Sequence, residues 1–341
     1  MGLKQGRRQE GLGRVASINE SSLLCRWVSG SVTGLERDLD RHCGHVLGGL
    51  LYGAQGVPEG PIPYASVHLP VLDGVGCYWL LISPRPVSYH RNADACIAVD
   101  GVLQWGVLNP GALDHENMEQ GAWVAYNRIF DLQEEAVYPH LLRTWNYFPK
   151  IHADGAAMER YREFNVGRHE AFSARRSLGG GHVSAACALG TKVGGMTVAF
   201  LAGKKAGIAI ENPRQTPAYG YPLQYGPKSP VFARAMLVDG ALWVSGTASI
   251  VGSQSVHVGN LAAQTDETVD NLRRVFEEAE RHGFIMPLAS RLCLVVYLRH
   301  AEDEARVRQR LAETFPSAHK ILLQADICRV ELLVEIEAFW F

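Results

Sequence analysis

Glu211-Asn-Pro-Arg-Gln-Thr-Pro-Ala-Tyr-Gly-Tyr-Pro-Leu-Gln-Tyr-Gly-Pro-Lys-Ser-Pro-Val-Phe-Ala-Arg234 divides the chain. Pro and Gly recur too often in this stretch for a helix or a central strand, so it reads as a loop that skirts a scaffold. It still carries two arginines, a lysine and three tyrosines. Guanidinium forks match carboxylates and phenol hydroxyls orient them. Loops held by rigid scaffolds are where binding groups tend to sit. The plain alternative is a surface connector with ordinary turn chemistry.

Downstream of the loop, Asp239-Gly240 between apolar runs signals a hairpin. Thr265–His282 then has helical spacing, with Val269, Leu272, Val275, Phe276 and Ala279 on one face. Thr265 or Asp266 is its expected cap and Gly283 its end. Leu292–Leu298 is an apolar strand, Glu302–Phe315 a second helix stopped by Pro316, and Cys328–Trp340 a last strand apolar enough for burial on both faces. Upstream the same order recurs. Asp100-Gly101 marks a hairpin, Glu119–Glu135 a helix, His140–Phe148 a strand and Met158–Phe172 a second helix, which Gly179-Gly-Gly breaks. Two strands are expected over residues 183–201. The pattern reads as a degenerate duplication of one α+β unit. The expected division is a disordered lead-in over 1–20, a first domain over 21–210, the linking loop over 211–234 and a second domain over 235–341. A site between the two units is the natural place for the loop to act.

The 341 residues are 47% hydrophobic and 20% charged, which suits a globular chain with a sizeable core. A net charge of −2 argues against nucleic acid as a partner. No apolar run reaches the ~18 residues of a membrane span. Seven irregularly spaced cysteines form neither a disulfide framework nor a zinc pattern, and a reducing cytoplasm fits them best. His42, Cys43 and His45 lack further ligands nearby in sequence, so no metal is expected.

Glu335 stands inside Leu332-Leu-Val-Glu-Ile-Glu-Ala-Phe-Trp340. A carboxylate in an apolar strand is costly unless it is paired or protonated, and a protonated one is a general acid. Alternation puts Glu337 on the same face. Cys328, seven residues earlier, would face the other way in a regular strand, the ordinary position of a core residue. Arg143, Trp145 and Tyr147 share one face of the His140–Phe148 strand, while Arg160, Arg162 and Arg168 read as the solvated face of the following helix.

The C-terminal unit, about Ala233–Phe341, resembles the RidA/YjgF family. The resemblance rests on Val244-Ser-Gly, the Gln264–Asn271 helix start, Val296-Tyr-Leu and Leu333-Val-Glu-Ile-Glu-Ala. From about Leu141 onward the chain resembles the chorismatases. The matching stretches are Arg143-Thr-Trp-Asn-Tyr-Phe-Pro, Glu159-Arg-Tyr-Arg-Glu-Phe-Asn-Val-Gly-Arg, Glu211-Asn-Pro-Arg-Gln, Tyr225-Gly-Pro-Lys-Ser-Pro-Val-Phe-Ala-Arg-Ala and Ser245-Gly-Thr-Ala-Ser-Ile-Val-Gly. The family pattern carries His where Ser253 stands and Asp where Asn260 stands.

The resemblance implies two RidA/YjgF-like, chorismate mutase-like α+β units, with mixed sheets and helices packed on one face. It implies an enzyme that consumes chorismate and releases pyruvate without a cofactor, either as a monomer or as a homotrimer. Glu335 matches the family's acid. Arg143, Tyr147, Arg214, Tyr219, Tyr221, Tyr225 and Arg234 are expected to bind the substrate's two carboxylates. Cys328, seven residues before the acid, resembles the type that forms 3-hydroxybenzoate, in some members with 4-hydroxybenzoate. Ala248 resembles the hydrolytic type, which yields 3,4-dihydroxycyclohexa-1,5-diene carboxylate. An imine deaminase or a ligand-binding module on the same fold is the remaining expectation.

Overall fold

The computed structural model describes residues 24–29, 32–53, 58–72, 74, 76–109, 117–175 and 183–341. The lead-in expected over 1–20 and the Gly179–Gly181 break lie outside them.

In chain order, β1 (Leu24–Ser29), α1 (Val32–Arg41), β2 (Val46–Tyr52), β3 (Tyr64–Val67) and β4 (Cys77–Ile82) come first. There follow β5 (Ser88–Arg91), β6 (Ala95–Val99), β7 (Leu103–Leu108), α2 (Met118–Ala136), β8 (His140–Pro149), α3 (Arg160–Arg175), β9 (Ala185–Thr191) and β10 (Thr197–Gly203). Then come β11 (Ile208–Ile210), β12 (Ala235–Val238), β13 (Ala241–Ala248), the short pair β14 (Ile250–Val251) and β15 (Gln254–Ser255), and α4 (Leu261–Arg281). The chain closes with β16 (Leu292–Leu298), α5 (Glu304–Thr314), β17 (His319–Gln324) and β18 (Val334–Trp340).

Local chemistry accounts for the main elements. Gly101 and Gly240 take φ of 85° and 78° in the two Asp-Gly hairpins, the left-handed region a tight hairpin requires. Asp100 Oδ1 accepts from Val102 N and Leu103 N, fixing the first of them. Asn117 caps α2 by accepting from Glu119 N at 2.8 Å. Asn260, not Thr265 or Asp266, caps α4, accepting from Ala263 N at 3.1 Å. The Thr265 hydroxyl instead donates back to Leu261 O, one turn earlier in the same helix. The last strand is shorter than expected. Residues 328–333 form turns, closed by Leu332 N donating to Arg329 O, and β18 starts at Val334.

Two six-stranded mixed sheets run β5-β6-β7-β10-β8-β9 and β11-β12-β13-β18-β16-β17. Their strand order is the same position for position, and each places its helices between corresponding strands. The expected α+β class and pair of units are these two sheets. Between residues 22 and 110 the sequence pattern places only the Asp100-Gly101 hairpin. Part of that stretch builds a third sheet, ordered β1-β4-β2-β3. It repeats the last four strands in the order of the other two, β7-β10-β8-β9 and β13-β18-β16-β17: antiparallel, antiparallel, then parallel, with a helix after the first.

The three sheets face one another. One core holds Leu50 and Trp79 from the first, Trp105 and Trp145 from the second, and Trp243 and Phe339 from the third. The helices lie outside. Phe130, Phe164 and Phe172 of α2 and α3 cover the second sheet, and Val269, Leu272 and Val275 of α4 cover the third. At the centre the hydroxyls of Tyr52, Tyr147 and Tyr297 form a chain of 3.2 and 2.9 Å contacts. These tyrosines hold equivalent places on β2, β8 and β16, so the molecule is built on a quasi-threefold plan within one chain. Burying three phenols is tolerable because each finds a partner.

Candidate active site

The seam between the second and third sheets opens into a cleft of about 390 Å³. The seam is a hydrogen-bonded join. Ala186 N donates to Ser245 Oγ, which donates to Ala233 O. Residues 211–234 form the roof, as one loop with two short 3-10 turns. Arg214 and Asn212 tie that loop to α4 through Glu267 and Asn271. Gln215 reaches Ile250 O, and Thr216 N pairs with Gly252 O.

Glu335 stands at the start of β18, between Ala248 of β13 and Tyr297 of β16. It is 4% exposed and lines the cleft. Burial pushes its carboxyl up to about 8, the Glu337 charge adds to the rise, and Arg143 opposes it. At neutral pH this group is protonated and presented to a cavity, the condition for a general acid. The register of β13 against β18 shifts between Val244 and Thr247. In that irregularity Gly246 lies against the Glu335 carboxyl.

Cys328 also lines the cleft. It sits on the turns before β18, so strand alternation does not apply to it. Its thiol is pushed up to about 12, by burial first and then by the Glu335 charge, and is neutral. Arg234 is 4% exposed. Its Nη2 donates to Thr216 O at 2.9 Å and to Tyr221 Oη at 2.8 Å, while its buried Nε has no partner. Behind it, burial pushes Glu211 up to about 7 against the pull of Arg234. Arg329 lies 3.9 Å over the Tyr225 ring and 5.2 Å over Tyr221, held by Ser253 O and Ser255 Oγ. Two guanidinium groups and two phenols thus converge on the cleft that holds the acid, a set suited to a carboxylate-bearing ligand.

Glu335, Cys328, Tyr221, Tyr225, Arg234 and Ala248 are brought together here. Four other expected binding residues are not. Arg143 is fully buried and pairs with Glu337 Oε2 at 2.5 Å; its face of β8 turns to the central core. Trp145 Nε1 and Tyr297 Oη also donate to Glu337. Tyr147 is 1% exposed, and its hydroxyl is engaged by Tyr52 and Tyr297. Arg214 is spent on Glu267 and Asn271. Tyr219 packs against the core under α2 and α3. The helix arginines divide as well. Arg160 bonds Pro149 O, and Arg162 pairs with Glu159 and lines the cleft. Arg168 is 2% exposed rather than solvated.

Arg329, Tyr161 and Gly246 line the cleft and were missed. Arg329 adjoins Cys328 in sequence, and Gly246 lies in the quoted Ser245-Gly turn, but neither position predicts a direction into the cavity. Among the described residues no group of three or more His, Cys, Asp or Glu side chains is placed to hold a metal. No helix among them is long and apolar enough to cross a membrane.

The model of the N-terminal region of the FkbO/Hyg5-like chorismatases matches residues 79–202. A chorismatase from Streptomyces rapamycinicus is 42% identical over 230 residues, covering 64% of this chain and 69% of that protein. The chain belongs to the chorismatase family. A 3-hydroxybenzoate synthase from Streptomyces hygroscopicus is 40% identical over 228 residues, covering 62% of this family member and 67% of that protein. A crystal structure of a chorismatase aligns with 95% of this chain and 100% of its own at 31% identity, with a TM-score of 0.82.

Proposed function

We propose that this chorismatase-family chain converts chorismate to 3-hydroxybenzoate and pyruvate, with 4-hydroxybenzoate as a side product and without a cofactor. The observation that carries the reading is the buried, protonated Glu335 facing a cleft lined by Arg234 and Arg329. Chorismate bears two carboxylates and an enol ether. Glu335 donates its proton to the enolpyruvyl methylene. The neighbouring ring hydroxyl closes on the ether-bearing ring carbon as that C–O bond breaks, its electron pair becoming the pyruvate carbonyl. The hydroxyl proton returns to Glu335, and the epoxide so formed opens with loss of a ring proton to the hydroxybenzoate. Arg234, Tyr221 and Tyr225 bind carboxylate oxygen in the cleft, where exclusion of water strengthens each contact. Chorismate minus pyruvic acid has the composition of a hydroxybenzoic acid, so this route balances without water. Cys328 beside Glu335 and the relative named 3-hydroxybenzoate synthase support this product.

Ala248, which pairs with Glu335 across the β13–β18 ladder, favours the second reading, hydrolysis to 3,4-dihydroxycyclohexa-1,5-diene carboxylate and pyruvate. Residues 211–234, which run from β11 to β12 of the third sheet, act in both readings as the substrate loop over the seam. The internal threefold plan supports a monomer over a homotrimer, to be decided by light scattering. Six free cysteines among the described residues support a reducing cytoplasm. Incubation with chorismate, with products separated by chromatography and mass and pyruvate assayed enzymatically, tests the reading. Pyruvate with hydroxybenzoate upholds the first route and pyruvate with the diene acid the second. No pyruvate above background rejects both and leaves imine hydrolysis or ligand binding.

A further inference from the structure

Next to Glu335 the cleft adjoins a recess of about 30 Å³, walled by Arg168 and Asn165 of α3, Cys187 of β9, Cys328 and Glu335 itself. Arg168 and Asn165 are each 2% exposed. The Arg168 guanidinium lies over the faces of Tyr126, at 4.8 Å, and Phe172, at 5.6 Å. Its one hydrogen bond among the described residues is a long 3.5 Å contact from Nη2 to Thr144 Oγ1. Its Nε is buried without a partner. No carboxylate pairs with it among the described residues. A buried guanidinium left in this state is costly.

The surrounding charges do not cancel. Arg143 and Glu337 neutralise each other at 2.5 Å. Glu335 is protonated, and the Tyr126, Tyr161, Cys187 and Cys328 protons are all held more tightly than in water because burial disfavours their anions. Arg168 is the charge left over, and burial works against it too. A water needs ~10–15 Å³ of such space, so the recess has room for roughly two oxygen atoms, the number in a carboxylate.

We propose that Arg168 binds the carboxylate of the enolpyruvyl group in this recess, leaving the ring carboxylate to Arg234 in the outer cleft. The assignment rests on the chorismatase reading. In the enolpyruvyl group the methylene and the carboxylate hang from one carbon. Setting the methylene against Glu335 therefore carries the carboxylate into space that adjoins Glu335, and the recess shares Glu335 with the cleft. Arg168 then does two things: it supplies the missing counter-charge, and it fixes the methylene at the acid, a restraint that acts on rate as well as affinity.

The test uses the full chain and two ligands. Arg168→Gln lowers kcat/KM for pyruvate release roughly 10–100-fold. Arg168→Lys restores part of it, because an ammonium cannot span both carboxylate oxygens. Pyruvate and 3-hydroxybenzoate each raise the wild-type melting temperature. Arg168→Gln loses the response to pyruvate and keeps that to 3-hydroxybenzoate, and Arg234→Gln does the reverse. An Arg168→Gln protein that still responds to pyruvate overturns the proposal, as does one whose kcat/KM is unchanged. If Arg168→Gln does not fold, Arg168→Lys carries the same comparison. A wild type that responds to pyruvate through Arg168 but releases none from chorismate sinks the chorismatase reading and keeps the anchor. Chorismate turnover with no pyruvate response sinks the anchor alone.

Discussion

Gly246 and Glu335 occupy one space: a methyl group on Gly246 would overlap the Glu335 carboxyl. The bulge in β13 thus leaves a side-chain-free gap where the acid lies. Gly246→Ala is expected to push the carboxyl aside and lower kcat for pyruvate release by about 10- to 100-fold. KM should change little, because Arg234 and the tyrosines stay in place. Steady-state kinetics checks this, with a melting curve to show that the fold survives.

Glu335 is expected to set an alkaline limit to activity. Its carboxyl ionises at about 8, so kcat should fall as pH rises through that value. Glu335→Gln should lose about 10²–10⁴-fold in rate and lose the limb with it. A pH–rate profile that stays flat from pH 6 to 9.5 would remove Glu335 from the role of acid.

The same proton affects stability. The folded chain holds it up to about pH 8, whereas an unfolded chain releases it near 4.5. The native state therefore binds the extra proton between those values. This contribution to stability is complete below about pH 4.5 and is lost as pH rises to 8. Glu211, raised to about 7, adds a slope of the same sign. Urea denaturation at pH 6 and pH 9 should show a smaller loss for Glu335→Gln than for the wild type.

Arg143 and Glu337 form a buried pair that belongs to the scaffold. Glu337→Gln leaves Arg143 buried without its counter-ion and should cost about 3–5 kcal/mol. Replacing both, as Arg143→Met with Glu337→Leu, should recover much of that cost, read by urea denaturation. Loss of the Glu337 charge also removes one cause of the raised Glu335 pKa, so the alkaline limb should move to lower pH in Glu337→Gln.

Cys328 tests the product. Its neutral thiol lies beside Glu335 in the cleft. Cys328→Val should keep pyruvate release within about tenfold, a change well below the cost of losing an acid, while product shifts from 3-hydroxybenzoate to the diene acid. An unchanged product ratio would make Cys328 a packing residue.

Features that act over a few residues were legible in the sequence. The Asp-Gly turns, the apolar face of α4 and the Val-Glu-Ile-Glu strand all depend on neighbours close in the chain. Features that depend on which face meets which sheet were not. Alternation placed Arg143 and Tyr147 together on β8, but their face turned out to look at the centre, where Glu337 arrives from 194 residues away. Arg168 read as solvated because helix periodicity assumes one buried face. In α3 the run Glu163–Arg168 is buried all round, which no amphipathic pattern announces. The third sheet was hidden because its apolar runs are short and it lacks a second helix among the described residues.

The threefold plan carries a consequence for how this enzyme changes over time. In a ring of identical subunits one codon sets every equivalent position, so a useful acid appears in all three places or in none. Here the counterparts of Glu335, facing Tyr147 and Tyr52 across their ladders, are Thr197 and Cys77. Each third of the molecule is encoded separately. One seam was free to acquire a buried carboxyl while the other two keep a hydroxyl and a thiol in its place.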